Sequence, residues 1–328
     1  MSDGGATVSP VTATTALLVP ARQVSTTSIA GRFRIAGTSP DGDSVRFVAD
    51  DPQAWRAAGI RARVNAGGSA QLRLDAIDAL ETHYSPPGGS GQWHQPQALA
   101  AGAAESLLRQ LGFTGWHRDP ATGTITDPEP AEVPGWVAGG EADVNGRPVV
   151  FVVAGDRAAA GPEWSAGGAD GPVTLTPAML ASTVNWRQLA DGLAYPTFYT
   201  GLAADLRDAL AAVAVAAREA GAGVWGVDAT TAGVQVTGRE QLEEVALLPK
   251  LFRRLAEFLS LDGSGAAALD GFRDFLEASA DVVRVLPDGP TTTLADLVRV
   301  DGRRVALTVP PERLVFSEKE VRLRALPD

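Results

Sequence analysis

The sequence predicts a mixed α+β protein with two folded units behind an N-terminal tail. Three observations carry that class. Strand and helix patterns follow one another without the regular βαβ rhythm of a parallel sheet. The 328 residues suffice for two medium domains, each with a sizeable core. The composition, 45% apolar and 20% charged, is that of an ordinary globular chain, and 36 Gly with 22 Pro point to long loops within folded domains.

The elements follow in order. Residues 1–28, rich in Thr, Ser and Ala, read as a flexible tail. The start Met1-Ser-Asp-Gly-Gly has no basic n-region, which predicts a cytoplasmic protein unless a leader has been removed. Gly31–Ala36, Ser44–Ala49 and Gln71–Ile77 alternate apolar and polar residues and read as strands. Ala98–Leu111 has apolar positions at helical spacing and Gly112 to stop it. Asp50–Ser69 and Thr114–Ala142 read as extended loops, and Pro148–Ala154 as a buried strand entered from the turn pair Asn145-Gly146. Thr176–Asp191 and Ala203–Ala220 read as helices, completing a unit over 29–229. A second, small α+β unit spans 230–328. Its first helix carries a stripe of Leu248, Leu251, Phe252, Leu255, Phe258 and Leu259, and a Gly-rich break at Asp262–Ala266 precedes a helix at Leu269–Ala280. Asp301-Gly302 then marks a hairpin.

Composition excludes several chemistries. With no cysteine, there are no disulfides, thiolate metal sites or cysteine nucleophiles. Only His83, His94 and His117 offer imidazole, and they read as surface-loop histidines. No apolar run spans a bilayer. The net charge is −11, and both units are acidic, so a diffuse basic footprint for duplex DNA is absent. Lys250, Arg253 and Arg254 form a small basic face opposite the Leu/Phe stripe and read as solvated. Trp93, Trp116, Trp136 and Trp164 read as packing of long loops rather than as base-stacking platforms.

Carboxylates and arginines remain. They concentrate in Asp41-Gly-Asp43, in Arg73-Leu-Asp-Ala-Ile-Asp78-Ala-Leu-Glu81 and in Asp143-Val-Asn-Gly-Arg147, each at a strand end. Such residues suit phosphodiester hydrolysis without Cys or His. Hard carboxylates with a backbone carbonyl bind Ca²⁺, a glutamate activates water, and two guanidiniums clamp the phosphate.

Asp41-Gly-Asp43-Ser-Val, Arg73-x4-Asp78-x2-Glu81-Thr and Gly146-Arg147, in that order, resemble the staphylococcal-nuclease (thermonuclease-like) family. Val184-Asn185…Gly192-Leu-Ala194 also falls in the family's order, and the likeness covers about residues 30–228. It implies a five-stranded OB-fold barrel flanked by helices. Asp43 and Asp78 would then ligate calcium directly, Ala79 through its carbonyl, and Asp41 through water. Glu81 would be the general base, also reaching the metal through water, and Arg73 and Arg147 the phosphate-binding arginines. Arg73, Glu81 and Arg147 are expected in one shallow pocket. The substrate would be nucleic acid, with single strands of DNA or RNA favoured; no protein partner is evident.

The sequence departs from the family in several places, the extended Asp50–Ser69 and Thr114–Ala142 loops among them. Leu80 stands where the family has proline, Val144-Asn145 where it has Lys-Tyr, and Ser85–Gly91 replaces a lysine-rich loop. Two functions follow: a Ca²⁺-dependent nuclease, or an inactive binding or scaffold module on the same frame.

Overall fold

The computed structural model describes residues 26–89, 91–120, 122–155, 164, 170–261 and 269–318. The tail up to residue 25 and the Asp262–Ala266 break lie outside the described residues.

In the first unit, β1 (Thr27–Phe33), β2 (Ser44–Ala49), a short helix α1 (Ala54–Ala57), β3 (Ser69–Leu74) and β4 (Ile77–Ala79) lead to helix α2 (Gln97–Leu111). A hairpin of β5 (Gly115–Arg118) and β6 (Ile125–Glu129) precedes β7 (Val133–Ala142), β8 (Pro148–Ala154) and β9 (Gly171–Pro172). Helices α3 (Pro177–Leu180) and α4 (Val184–Ala190), strands β10 (Ala194–Pro196) and β11 (Phe198–Tyr199) and helix α5 (Ala204–Glu219) follow.

Five strands close a barrel. β1 pairs antiparallel with β2 and β7, β2 with β3, and β7 with β8; β3 and β8 run parallel, with Arg73 opposite Val149. Alternation decides which side chains fill it. Val45, Phe47, Ala70, Leu72 and Leu74 are buried, while Arg46 and Arg73 lie on the opposite face of their strands. The Phe33 and Phe47 rings meet at 5.1 Å in the core. Gly31 is required there, because a Cβ would sit 2.2 Å from the Val48 carbonyl oxygen.

Three readings of the sequence need correction. Thr114–Ala142 is not one extended loop but contains the β5–β6 hairpin and a full barrel strand, β7. Gln71–Ile77 is not one strand. Ala76 takes a left-handed φ of 66°, so the chain turns there and β4 leaves the barrel to pair with β10. Thr176–Asp191 likewise holds two short helices rather than one.

The second unit contains β12 (Val234–Gln235), α6 (Arg239–Glu243), α7 (Pro249–Ser260), α8 (Phe272–Ser279), β13 (Val282–Val285), β14 (Thr291–Thr293), α9 (Leu294–Leu297), β15 (Val298–Asp301), β16 (Arg304–Leu307) and β17 (Leu314–Phe316). It is continuous with the first. Leu80, Trp93, Tyr195 and Trp225 share one core with Leu248, Leu251, Phe252 and Leu255 of the second unit. β11 pairs parallel with β17, so one sheet crosses the boundary drawn at 229/230. No helix among the described residues is long and apolar enough to cross a membrane.

Candidate functional site

The acidic segments meet beside the β3–β4 corner. Gly42 lets the Asp41–Asp43 turn approach closely, since a Cβ there would come within 2.7 Å of the Cβ atoms of both Ala79 and Ala103. Buried Gln188 of α4 fixes that turn by donating to the Gly42 carbonyl (2.7 Å) and the Ala103 carbonyl (3.0 Å). Ser44 Oγ donates to Asp41. Asp78 and Ala79 lie on β4, with Ala79 opposite Ala194 in the ladder. The backbone of Glu81 is held by Gln95, which accepts from the Glu81 amide at 3.2 Å and donates from its own amide to the Glu81 carbonyl at 2.9 Å. The Gln95 side chain also donates to Leu247 O (2.8 Å), tying this strand end to the second unit.

Arg253 of α7 occupies the centre. Its Nη2 donates to Asp78 Oδ2 at 2.6 Å, its Nη1 to Asp78 Oδ1 at 3.1 Å, and Nη1 also donates to Glu81 Oε1. The expectation of a solvated basic face on this helix is therefore corrected. Arg253 pairs with the first unit's carboxylates, Arg254 with Asp281 (2.8 Å) and Glu257, and Lys250 lies 3.6 Å from Asp281. The Leu/Phe stripe fills the shared core, and the opposite face covers the acidic centre. Amphipathicity alone does not distinguish solvent from a second packed unit, and this helix is enclosed on both sides.

Electrostatics follow from that enclosure. Burial, with Asp41 and Asp78 nearby, pushes the Asp43 carboxyl well above its ordinary value despite Arg73. Burial acts the same way on Asp78, but Arg253 and Arg73 outweigh it and hold that carboxyl low. Burial pushes Glu81 up to about 7 against the pull of Arg253. The Arg73 guanidinium lies 5.3 Å from the centre of the Tyr199 ring. Burial also raises Tyr199, yet Lys250 and Arg73 bring it below its ordinary value.

Arg147 stands apart from the acidic group. Its Nε pairs with Asp143 at 2.7 Å, and its amide donates to the same carboxylate at 2.9 Å. Arg73 and Arg147 line one cavity of about 540 Å³ on the barrel's outer face. Asp43, Asp78 and Glu81 do not line it. The structure thus brings together Arg73, Asp43, Asp78 and Glu81 around Arg253, and separately Arg73 with Arg147, but not Glu81 with Arg147.

The residues present do not fit a calcium ion in this arrangement. Both Asp78 oxygens and one Glu81 oxygen are engaged by a guanidinium. Among the described residues no three acidic or imidazole side chains are grouped to hold a metal. Sequence reasoning missed Arg253, Lys250 and Tyr199. The available signal was the run Lys250…Arg253-Arg254 in a strongly acidic chain that left Asp43, Asp78 and Glu81 without an assigned counter-charge. No protein-family model and no curated protein matches the chain.

Proposed function

We propose that this chain is a ligand-binding module on an OB-type barrel resembling the staphylococcal-nuclease frame, and that it works without a metal ion. One observation carries the reading: the Arg253 guanidinium satisfies Asp78 through two hydrogen bonds and Glu81 through a third. A planar guanidinium matches carboxylates in charge and geometry, and so takes the part of a counter-cation. Its helix is anchored by Leu251, Phe252 and Leu255 in the shared core, so withdrawing Arg253 would disturb that core. The barrel's pairing order, with a helix between its third and fourth strands, supports the OB-type reading.

A gel assay on single-stranded DNA, duplex DNA and RNA, in Ca²⁺ or EDTA, tests this alongside thermal melts. The expected result is no Ca²⁺-dependent cleavage and no rise of Tm in millimolar Ca²⁺. Ca²⁺-dependent cleavage that Glu81→Gln abolishes would overturn the reading.

A second reading, phosphodiester hydrolysis, is favoured by the Glu81 carboxyl near 7, where a general base works at neutral pH. Arg253→Gln separates the two. Under the hydrolase reading, freeing Glu81 and Asp78 raises Ca²⁺-dependent cleavage. Under the binding reading the variant cleaves no better than wild type.

A further inference from the structure

The cavity on the barrel's outer face has an unbalanced charge pattern. Two of its three cations are already matched, Arg147 by Asp143 and Lys250 by Asp281, while the third, Arg73, lies over the Tyr199 ring. Three of its carboxylates, Asp75, Glu141 and Glu318, have no such partner among the described residues. Asp75, at the β3–β4 corner, accepts a hydrogen bond from the Ala76 amide at 2.7 Å, and Glu141 of β7 lies near another acid, Glu318. Among the described residues neither makes an ion pair, although Arg73 lies near enough to Asp75 to act on it electrostatically. Burial pushes Asp75 up to about 6, and burial together with Glu318 pushes Glu141 up to about 7. Carboxyls raised in this way mark a wall short of positive charge.

An independent observation points to a missing occupant. Thr197 also lines the cavity and is 1% exposed, yet its Oγ1 has no hydrogen-bond partner. A buried hydroxyl without a partner is destabilising, and a ligand group that met it would restore the hydrogen bond. Thr197 belongs to the same corner as Asp75, because its amide donates to the Ala76 carbonyl at 2.9 Å. Val149, Phe151, Leu175, Leu202 and Leu206 supply apolar wall, and a volume near 540 Å³ suits a small organic molecule.

We propose that this cavity binds an organic cation, a primary ammonium on an apolar body, with its charge at Asp75 and Glu141 and a hydrogen bond to Thr197 Oγ1. The ammonium lies between the two carboxylates as their shared counter-charge, any proton still held there passing to solvent, and the apolar body lies on the Val149–Phe151 wall. The net charge of −11 steers cations toward the protein and opposes anions. The inference names the ligand class of the binding role proposed above and rests on that reading, though the cavity residues it uses are not those that Arg253 touches.

Calorimetry on the full chain at pH 7.5 tests it with three probes of one shape: 4-phenylbutylamine, 4-phenylbutanol and 4-phenylbutyrate. The amine is expected to bind at least tenfold more tightly than the alcohol, with the carboxylate weakest. Asp75→Asn and Glu141→Gln should each weaken the amine about tenfold and leave the alcohol unchanged. Thr197→Val should weaken it less. Glu141 lies at the cavity wall, so Glu141→Gln keeps the test decisive if Asp75→Asn fails to fold. No amine binding at millimolar concentration, preference for the carboxylate, or an unchanged amine affinity in Glu141→Gln would each overturn the inference. Cleavage in the gel assay would instead remove the metal-free binding reading, whatever the probes do.

Discussion

Asp75, Glu81 and Glu141 hold their protons at a pH where free carboxyls have lost them, at about 6, 7 and 7. The consequence for stability has a definite sign. Between about pH 4 and pH 7 the native state binds protons that the unfolded chain releases, so stability falls as pH rises through that window. For Asp75 alone the difference is on the order of 2–3 kcal/mol. Asp78 works in the opposite sense, because its lowered carboxyl adds stability that is lost only below its unfolded value of 3.8, outside this window. The expected outcome is a Tm higher at pH 5.5 than at pH 8 in a melt series at fixed salt. Glu141→Gln should narrow the gap. A Tm that climbs steadily from pH 5.5 to pH 8 would contradict the assignment.

At the scale of elements, the seam between β3 and β8 is the barrel's weakest closure, because its parallel pairing covers only Arg73–Leu74 against Val149–Val150. Asn185, fully buried on α4, reinforces it. Its Oδ1 accepts from the Val152 amide at 2.9 Å, and its Nδ2 donates to the Asp75 carbonyl at 2.9 Å and the Val150 carbonyl at 3.0 Å. Asn185→Leu strands the Val152 amide and the Asp75 carbonyl, while the Val150 carbonyl keeps the Asp75 amide. A loss of about 3 kcal/mol is expected, read as a lower urea midpoint at unchanged slope. A change under 0.5 kcal/mol would deny Asn185 this role. The sequence placed Asn185 in the family's order but said nothing of its backbone partners, since side-chain bonds to distant backbone leave no periodic signal. Periodicity served well where one face is buried, as at Ser44–Ala49 and Pro148–Ala154, whose bounds match β2 and β8. It failed at Ala76, whose left-handed turn carries no glycine to announce it, and at β7, where three glycines dilute the alternation. It failed again at α7, because whether a charged face meets solvent or another acidic unit depends on tertiary docking. The acidic centre itself was legible residue by residue, whereas its counter-cation, 172 positions from Glu81, was not.

For the molecule as a whole, the question is whether residues up to 229 fold without the rest. Three losses argue that they do not. Leu80, Trp93, Tyr195 and Trp225 would lose the apolar partners supplied by Leu248, Leu251, Phe252 and Leu255. Re-exposing a large apolar side chain costs about 1.5–3 kcal/mol, so four of them alone rival the whole stability of a typical domain. Asp78 and Glu81 would lose Arg253 and Asp43 would remain beside them, leaving like charges gathered around Arg73. β11 would lose β17, the strand that continues its sheet. The full chain is therefore expected to melt in one transition, reported alike by near- and far-ultraviolet circular dichroism. A chain ended after Ala229 should keep much of its far-ultraviolet signal, lose its near-ultraviolet signal and bind a hydrophobic dye, as compact states without fixed packing do. Two separate transitions in the full chain, or a sharp melt of the shortened chain within a few degrees of it, would show the first unit to be autonomous. Arg253 would then be a docked addition to a barrel already complete, and not part of what holds it together.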